Sequence, residues 1–178
     1  MAYAVVFYFD KNSENPIYKI WEQLEKIGLS PSKYKSGIRP HITLAIYDSI
    51  NCIDCEINLK NLVADSKIFS VQANHLGIFS NQTSVIFIAP ASNIDLLEFQ
   101  KGIHQALEDS SKGAWEIYIP GNWIPHCTLA QGVDSKNLSV ALKICVKMKL
   151  PLELRISQVG IVEFEPIIPL LEIDFPKT

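Results

Sequence analysis

No apolar run in this chain approaches the roughly 20 residues that a membrane-spanning helix needs, so a transmembrane element is not expected. The first ten residues, Met1 to Asp10, are apolar and aromatic but lack the basic stretch that opens a secretory signal; they read as a strand. Cysteine is scarce, four in 178 residues. That is too few for a disulfide scaffold, and together with abundant lysine it makes the cytoplasm the expected compartment. Positive charge is also in short supply: sixteen Lys and Arg against nineteen Asp and Glu, a net charge of −3. No overall field would draw such a chain to long duplexes or anionic membranes. Metal ligands do not cluster either. Cys52-Ile-Asp-Cys55 is a lone C-x-x-C, and Cys127 and Cys145 supply no second pair for zinc. With no acidic ligand cluster as well, neither a metal nor another cofactor is expected.

What is present is an ordinary globular composition, 48% hydrophobic and 20% charged, in a length that suits a single domain over 1–178. Within it one phrase occurs twice, nearly half the chain apart. Residues 39–45 read R-P-H-I-T-L-A and residues 124–130 read I-P-H-C-T-L-A. Pro40, His41, Thr43, Leu44 and Ala45 match Pro125, His126, Thr128, Leu129 and Ala130. By chance, five such matches should arise roughly once in a hundred chains of this length. Each phrase has the form of a strand opened by proline, where a missing N–H does least harm. Side chains then alternate between faces, so His41 shares a face with Thr43, and His126 with Thr128. If the two strands lie close together, two imidazoles and two hydroxyls meet in one cleft. Imidazoles titrate near neutral pH, so one can take a proton while the other gives one. The hydroxyls can donate to the non-bridging oxygens of a phosphodiester.

This doubled H-x-T resembles the signature of the two-histidine (2H) phosphoesterase superfamily. Its nearest likeness is the branch of 2'-5' RNA ligases and cyclic phosphodiesterases. The resemblance implies that His41, Thr43, His126 and Thr128 form the catalytic set. It further implies a metal-independent hydrolysis of 2',3'-cyclic phosphate ends of RNA or nucleotides, with 2'-5' ligation as a possible reverse reaction. Members of that family often carry Arg or Lys just after the second motif, where this chain has Gln131. Two other readings therefore stay open: a phosphodiesterase for 2'-5' oligonucleotides or other small phosphodiesters, and a nucleotide- or RNA-binding module on the same fold. In each case the expected partner is a small nucleotide or an RNA terminus, and the protein is expected to be a monomer.

The rest of the chain reads as strands and helices in alternation. Strands are expected over 2–9, 69–79, 85–90, 152–164 and 170–175, with the two motif strands between them. Helices are expected over 16–27 (closed by Gly28), 58–66, 93–110 and 135–148. Short turns near 80–84 and 165–169 imply hairpins. The expected fold class is thus α+β: two pseudo-symmetric lobes of largely antiparallel sheet around a central cleft, helices outside, one H-x-T motif in each half. Candidate substrate contacts follow from position. Arg39 has the parity of His41, and a guanidinium suits phosphate oxygens. Tyr34 lies between two lysines in the loop ahead of the first motif, and Tyr118 and Trp123 precede the second; any of them can stack on a base. His75 reads as structural and His104 as a surface residue.

Overall fold

The most continuously apolar stretch becomes the inner strand. In the computed structural model, which describes residues 1–29, 38–80, 82–91, 93–164 and 167–176, β1 (Ala2–Phe9) is buried at every position from Ala4 onward. It pairs antiparallel with β2 (His41–Ile50) and with β7 (Leu152–Phe164). β5 (Ser111–Ala114) adds to β2, and β8 (Ile168–Asp174) pairs β7. The thirteen residues of β7 reach into a second set of strands. Its beginning, Leu152 to Arg155, pairs β3 (Ser70–Ser80), which is followed by β4 (Ser84–Pro90) and β6 (Cys127–Val133). The order is β5-β2-β1-β7-β3-β4-β6, with β8 on β7, and these pairings are antiparallel throughout. The α+β class and antiparallel sheet are those expected from the sequence.

The pseudo-twofold is visible in this order: β2-β1-β7 on one side of the centre answers β6-β4-β3 on the other. Helices α1 (Lys11–Glu25) and α3 (Ile94–Ala106) occupy corresponding places before the two motif strands. Helices α2 (Cys52–Ala64) and α4 (Leu138–Cys145) follow those strands. Packing then crosses the halves. α1 packs on β6 and α4, while α3 packs on β2 and α2. Each motif strand is therefore backed by a helix from the other half of the chain.

Local chemistry explains where the helices begin. The expectation for α1 started at Pro16, but the helix starts five residues earlier, because Asp10 caps it by accepting from the Ser13 N–H at 2.9 Å. Its end is as expected. Gly28 has φ +70°, and the Leu29 N–H donates to the Leu24 carbonyl at 2.9 Å, a closure that needs a left-handed residue. Ile17, Ile20, Trp21 and Leu24 form the buried stripe. Each such side chain contributes about 1.5–3 kcal/mol of burial before conformational entropy is subtracted. α2 also starts earlier than expected, since Asn51 caps it by accepting from the Ile53 and Asp54 N–H groups. This places the C-x-x-C in its first turn. Cys52 is exposed there, while Cys55 is buried with its thiol donating to Ser110 Oγ at 3.4 Å. α4 is shorter than the expected 135–148. Phe7 lies at the core's centre, with its ring 4.9 Å from Phe99 and 5.7 Å from Phe69. Among the described residues no helix is long and apolar enough to cross a membrane.

Candidate active site

Every residue that the two phrases share has a structural use, and the uses match. The prolines come first. A residue before proline is held extended and proline itself has a fixed φ, so the carbonyl two residues ahead of each histidine has a set position. His41 Nδ1 lies 2.7 Å from the Arg39 carbonyl, and His126 Nδ1 lies 2.8 Å from the Ile124 carbonyl. A carbonyl can only accept, so Nδ1 carries the proton in both rings. Nε2 is then the nitrogen of each ring that gains and loses a proton.

The leucines come next. Along β2 the partner of Val5 is Ala45 but the partner of Val6 is Thr43, so Leu44 is an extra residue, a β-bulge. Along β6 the partner of Ile86 is Ala130 and the partner of Phe87 is Thr128, which leaves Leu129 as the extra residue. Both leucines and the alanines after them are fully buried. The bulge ends the simple alternation just past each threonine and turns both following side chains inward. It also frees carbonyls for side-chain donors. Trp123 Nε1 donates to the Thr43 carbonyl at 2.9 Å, and Trp21 Nε1 donates to the Thr128 carbonyl at 3.2 Å. Gln100 Nε2 donates to the Leu44 carbonyl at 3.1 Å. Each threonine is thus anchored by an indole from the opposite half of the chain.

His41, Thr43, His126 and Thr128 all line one cleft of about 700 Å³. This is a volume suited to a single small molecule. The two imidazoles have different surroundings. His126 lies among aromatic rings, 4.9 Å from Phe79 and 5.4 Å from Phe87. Burial there pushes its pKa below the ordinary histidine value, against an opposing contribution from its bond to Ile124. His41 has the edge of Tyr8 at 6.4 Å, and burial raises that phenol to about 12.

The expected substrate contacts divide. Tyr118 ends a short 3-10 turn (Glu116–Tyr118) and lines the cleft. Its carbonyl accepts from Gln100 Nε2 at 2.6 Å, and His104 Nε2 lies 2.9 Å from it. His104, expected at the surface, is instead half-buried and ties α3 to this wall, with its other nitrogen 3.3 Å from the Tyr47 hydroxyl. Trp123 does not line the cleft. It is buried, and its N–H is committed to Thr43. Arg39 does not line the cleft either, which corrects the inference from its parity. Strand β2 begins only at His41, so parity does not carry back across Pro40. The Arg39 guanidinium donates to Glu14 at 2.9 Å, to Gln158 at 2.6 Å and to Glu172 at 3.2 Å, and lies 4.5 Å above the Tyr8 ring. Buried Glu14 claims it. Burial raises the Glu14 carboxyl above its usual value, and Arg39 works in the opposite direction. Tyr34 lies outside the described residues. His75 is exposed on β3 and away from the cleft. Sequence reasoning missed Trp21 and Trp115 as cleft residues. It also read Pro40 and Pro125 only as strand openers. The signal was available in the repeat, where the prolines and leucines match as closely as the histidines.

No curated protein matches the chain. Solved structures do, over almost the whole length. TT0787 of Thermus thermophilus is 16% identical with TM-score 0.64, and each chain is covered to 98%. E. coli LigT complexed with 3'-AMP is 13% identical with TM-score 0.60, again with 98% of each chain covered. Kluyveromyces marxianus Usb1 is 12% identical with TM-score 0.53, covering 95% of this chain and 97% of its own. At these identities the likeness is one of fold. The sequence itself goes further, since residues 14–166 match the 2'-5' RNA ligase superfamily, and this chain is a member of that superfamily.

Proposed function

We propose that the protein is a metal-independent phosphodiesterase that opens 2',3'-cyclic phosphates on nucleotides or RNA ends, with His41 and His126 as its acid–base pair. The observation that carries this reading is the convergence of both imidazoles and both threonines on one cleft, each imidazole with its Nδ1 proton engaged by a backbone carbonyl. Membership in the superfamily supports a phosphoesterase- or ligase-type enzyme. Burial favours the neutral form of His126, which suits the base. Its Nε2 takes a proton from water as the water oxygen attacks phosphorus. His41, protonated at Nε2, gives its proton to the departing ribose oxygen, so the ring opens to a phosphate monoester and a free hydroxyl. Thr43 and Thr128 donate to the non-bridging oxygens, where charge builds in the transition state. Run backwards, the same transfers support ligation at a 2'-5' bond.

The test is a turnover assay on 2',3'-cyclic nucleotides and 2'-5' dinucleotides in the presence of a chelator, with product regiochemistry read by phosphorus NMR. Alanine at either His41 or His126 should lower kcat by about a hundredfold or more, and threonine-to-alanine changes should cost less. Undiminished turnover by the doubly substituted protein, or its loss in chelator, contradicts the mechanism.

A further inference from the structure

Among the described residues that line the cleft, none is Lys, Arg, Asp or Glu. Its polar groups beyond the two H-x-T pairs include Ser80, Asn122 and Gln131. Its apolar wall includes Ile46, Ile78, Ile117, Ile124 and Val162. Arg39, the nearest cation by sequence, is held by two carboxylates outside the cleft. Such a site can neutralise the charge of one phosphodiester with donors and a protonated imidazole. A second phosphate would lose its hydration there and find no cation in return among the described lining residues.

One aromatic at this cleft is fixed from three directions. Trp115 lines it and is 39% exposed. Its backbone N–H donates to the Ile46 carbonyl at 2.9 Å. Its indole N–H donates to Asp48 Oδ1 at 3.0 Å, and its ring meets Phe164 edge-on with centroids 5.9 Å apart. Gly113 makes room for this. It adopts φ +68°, and a Cβ there would run into the Asp48 carboxylate. An exposed indole held this firmly loses little freedom when a flat group stacks on it, and the charge that holds it is negative.

We propose that this cleft selects phosphodiesters with a single negative charge and a flat substituent that stacks on Trp115, and turns away substrates bearing further phosphates. The proposal rests on the phosphodiesterase reading above and narrows its substrate class. It places nucleoside cyclic phosphates without a 5'-phosphate among the substrates, and RNA tails outside them.

The experiment compares adenosine 2',3'-cyclic phosphate with its 5'-phosphorylated counterpart, and both with glycerol 1,2-cyclic phosphate, which has no base. The 5'-phosphate should lower kcat/KM by about tenfold or more. Trp115→Ala should raise KM for the adenosine compound by about tenfold, the scale of one stacked base, and narrow its advantage over the glycerol compound. Trp115→Phe should restore most of that advantage, which a merely structural role would not predict. Equal or better turnover of the 5'-phosphorylated compound overturns the proposal, as does an unchanged adenosine-to-glycerol ratio in Trp115→Ala. If no cyclic phosphate is turned over, the phosphodiesterase reading fails separately. Calorimetry with the two adenosine compounds on the intact protein then decides charge selection, and tighter binding of the 5'-phosphorylated one overturns it.

Discussion

Replacing Trp123 by phenylalanine isolates one hydrogen bond on which the first motif depends. The ring stays in the core, but the indole N–H that meets the Thr43 carbonyl at 2.9 Å is gone. A buried carbonyl that loses its partner costs about 1–3 kcal/mol, and the smaller ring gives up roughly another 1 kcal/mol of packing. A loss of about 2–4 kcal/mol should move the melting temperature of a chain this long by roughly 4–16 °C. The same bond sets the position of Thr43, so kcat on a cyclic phosphate should fall with little change in KM. Trp115→Phe is the internal control. It also removes an indole donor, but one that meets Asp48 at the exposed rim, so its stability should stay within about 0.5 kcal/mol of the parent. Urea denaturation of the three proteins, with m compared, gives the answer. If Trp123→Phe is no less stable than Trp115→Phe, the bulge carbonyls do not need their indole clamps and the account of the repeat is wrong.

Three further outcomes follow from the same geometry. Arg39→Ala should destabilise the fold by about 2 kcal/mol, because it strands the buried Glu14 carboxylate; kcat/KM should change little, and a large catalytic loss at unaltered stability would return Arg39 to the substrate. A base must be neutral to accept a proton, and burial holds the His126 pKa below the ordinary 6.5. The acid limb of kcat/KM against pH should therefore lie below 6.5 and move up toward it in Phe79→Ala, which opens the aromatic surround; a limb above that ordinary value in the parent contradicts this assignment. Finally, a site that grips one phosphate should show a shallow dependence of binding on salt, a log–log slope of magnitude about 2 or less at roughly 0.7 per single-strand contact. Affinity that climbs with oligonucleotide length in a titration would reveal a basic groove instead.

What could be read from the sequence alone was the chemistry that repeats locally. The H-x-T pairs lie on one face because a strand alternates every residue. β1 and β7 match their expected bounds because long apolar runs between turn residues leave little choice of element. Gly28 marks its helix end because only glycine takes that φ without strain. Where caps were overlooked, at Asp10 and Asn51, helices start earlier than periodicity alone suggested. Tertiary structure decided the rest. Arg39 and Trp123 sat in the right places along the chain to meet a substrate, yet both were claimed by partners that sequence proximity does not show. Glu14 lies 25 residues from Arg39, and the Thr43 carbonyl 80 residues from Trp123. The bulges at Leu44 and Leu129 exist only relative to β1 and β4, since an extra residue is defined by what it pairs with. The crossing of α1 onto β6 and α3 onto β2 likewise depends on which apolar faces fit once both sheets are formed. Local pattern specifies which groups a chain can present; long-range pairing determines which of them are left to face a ligand.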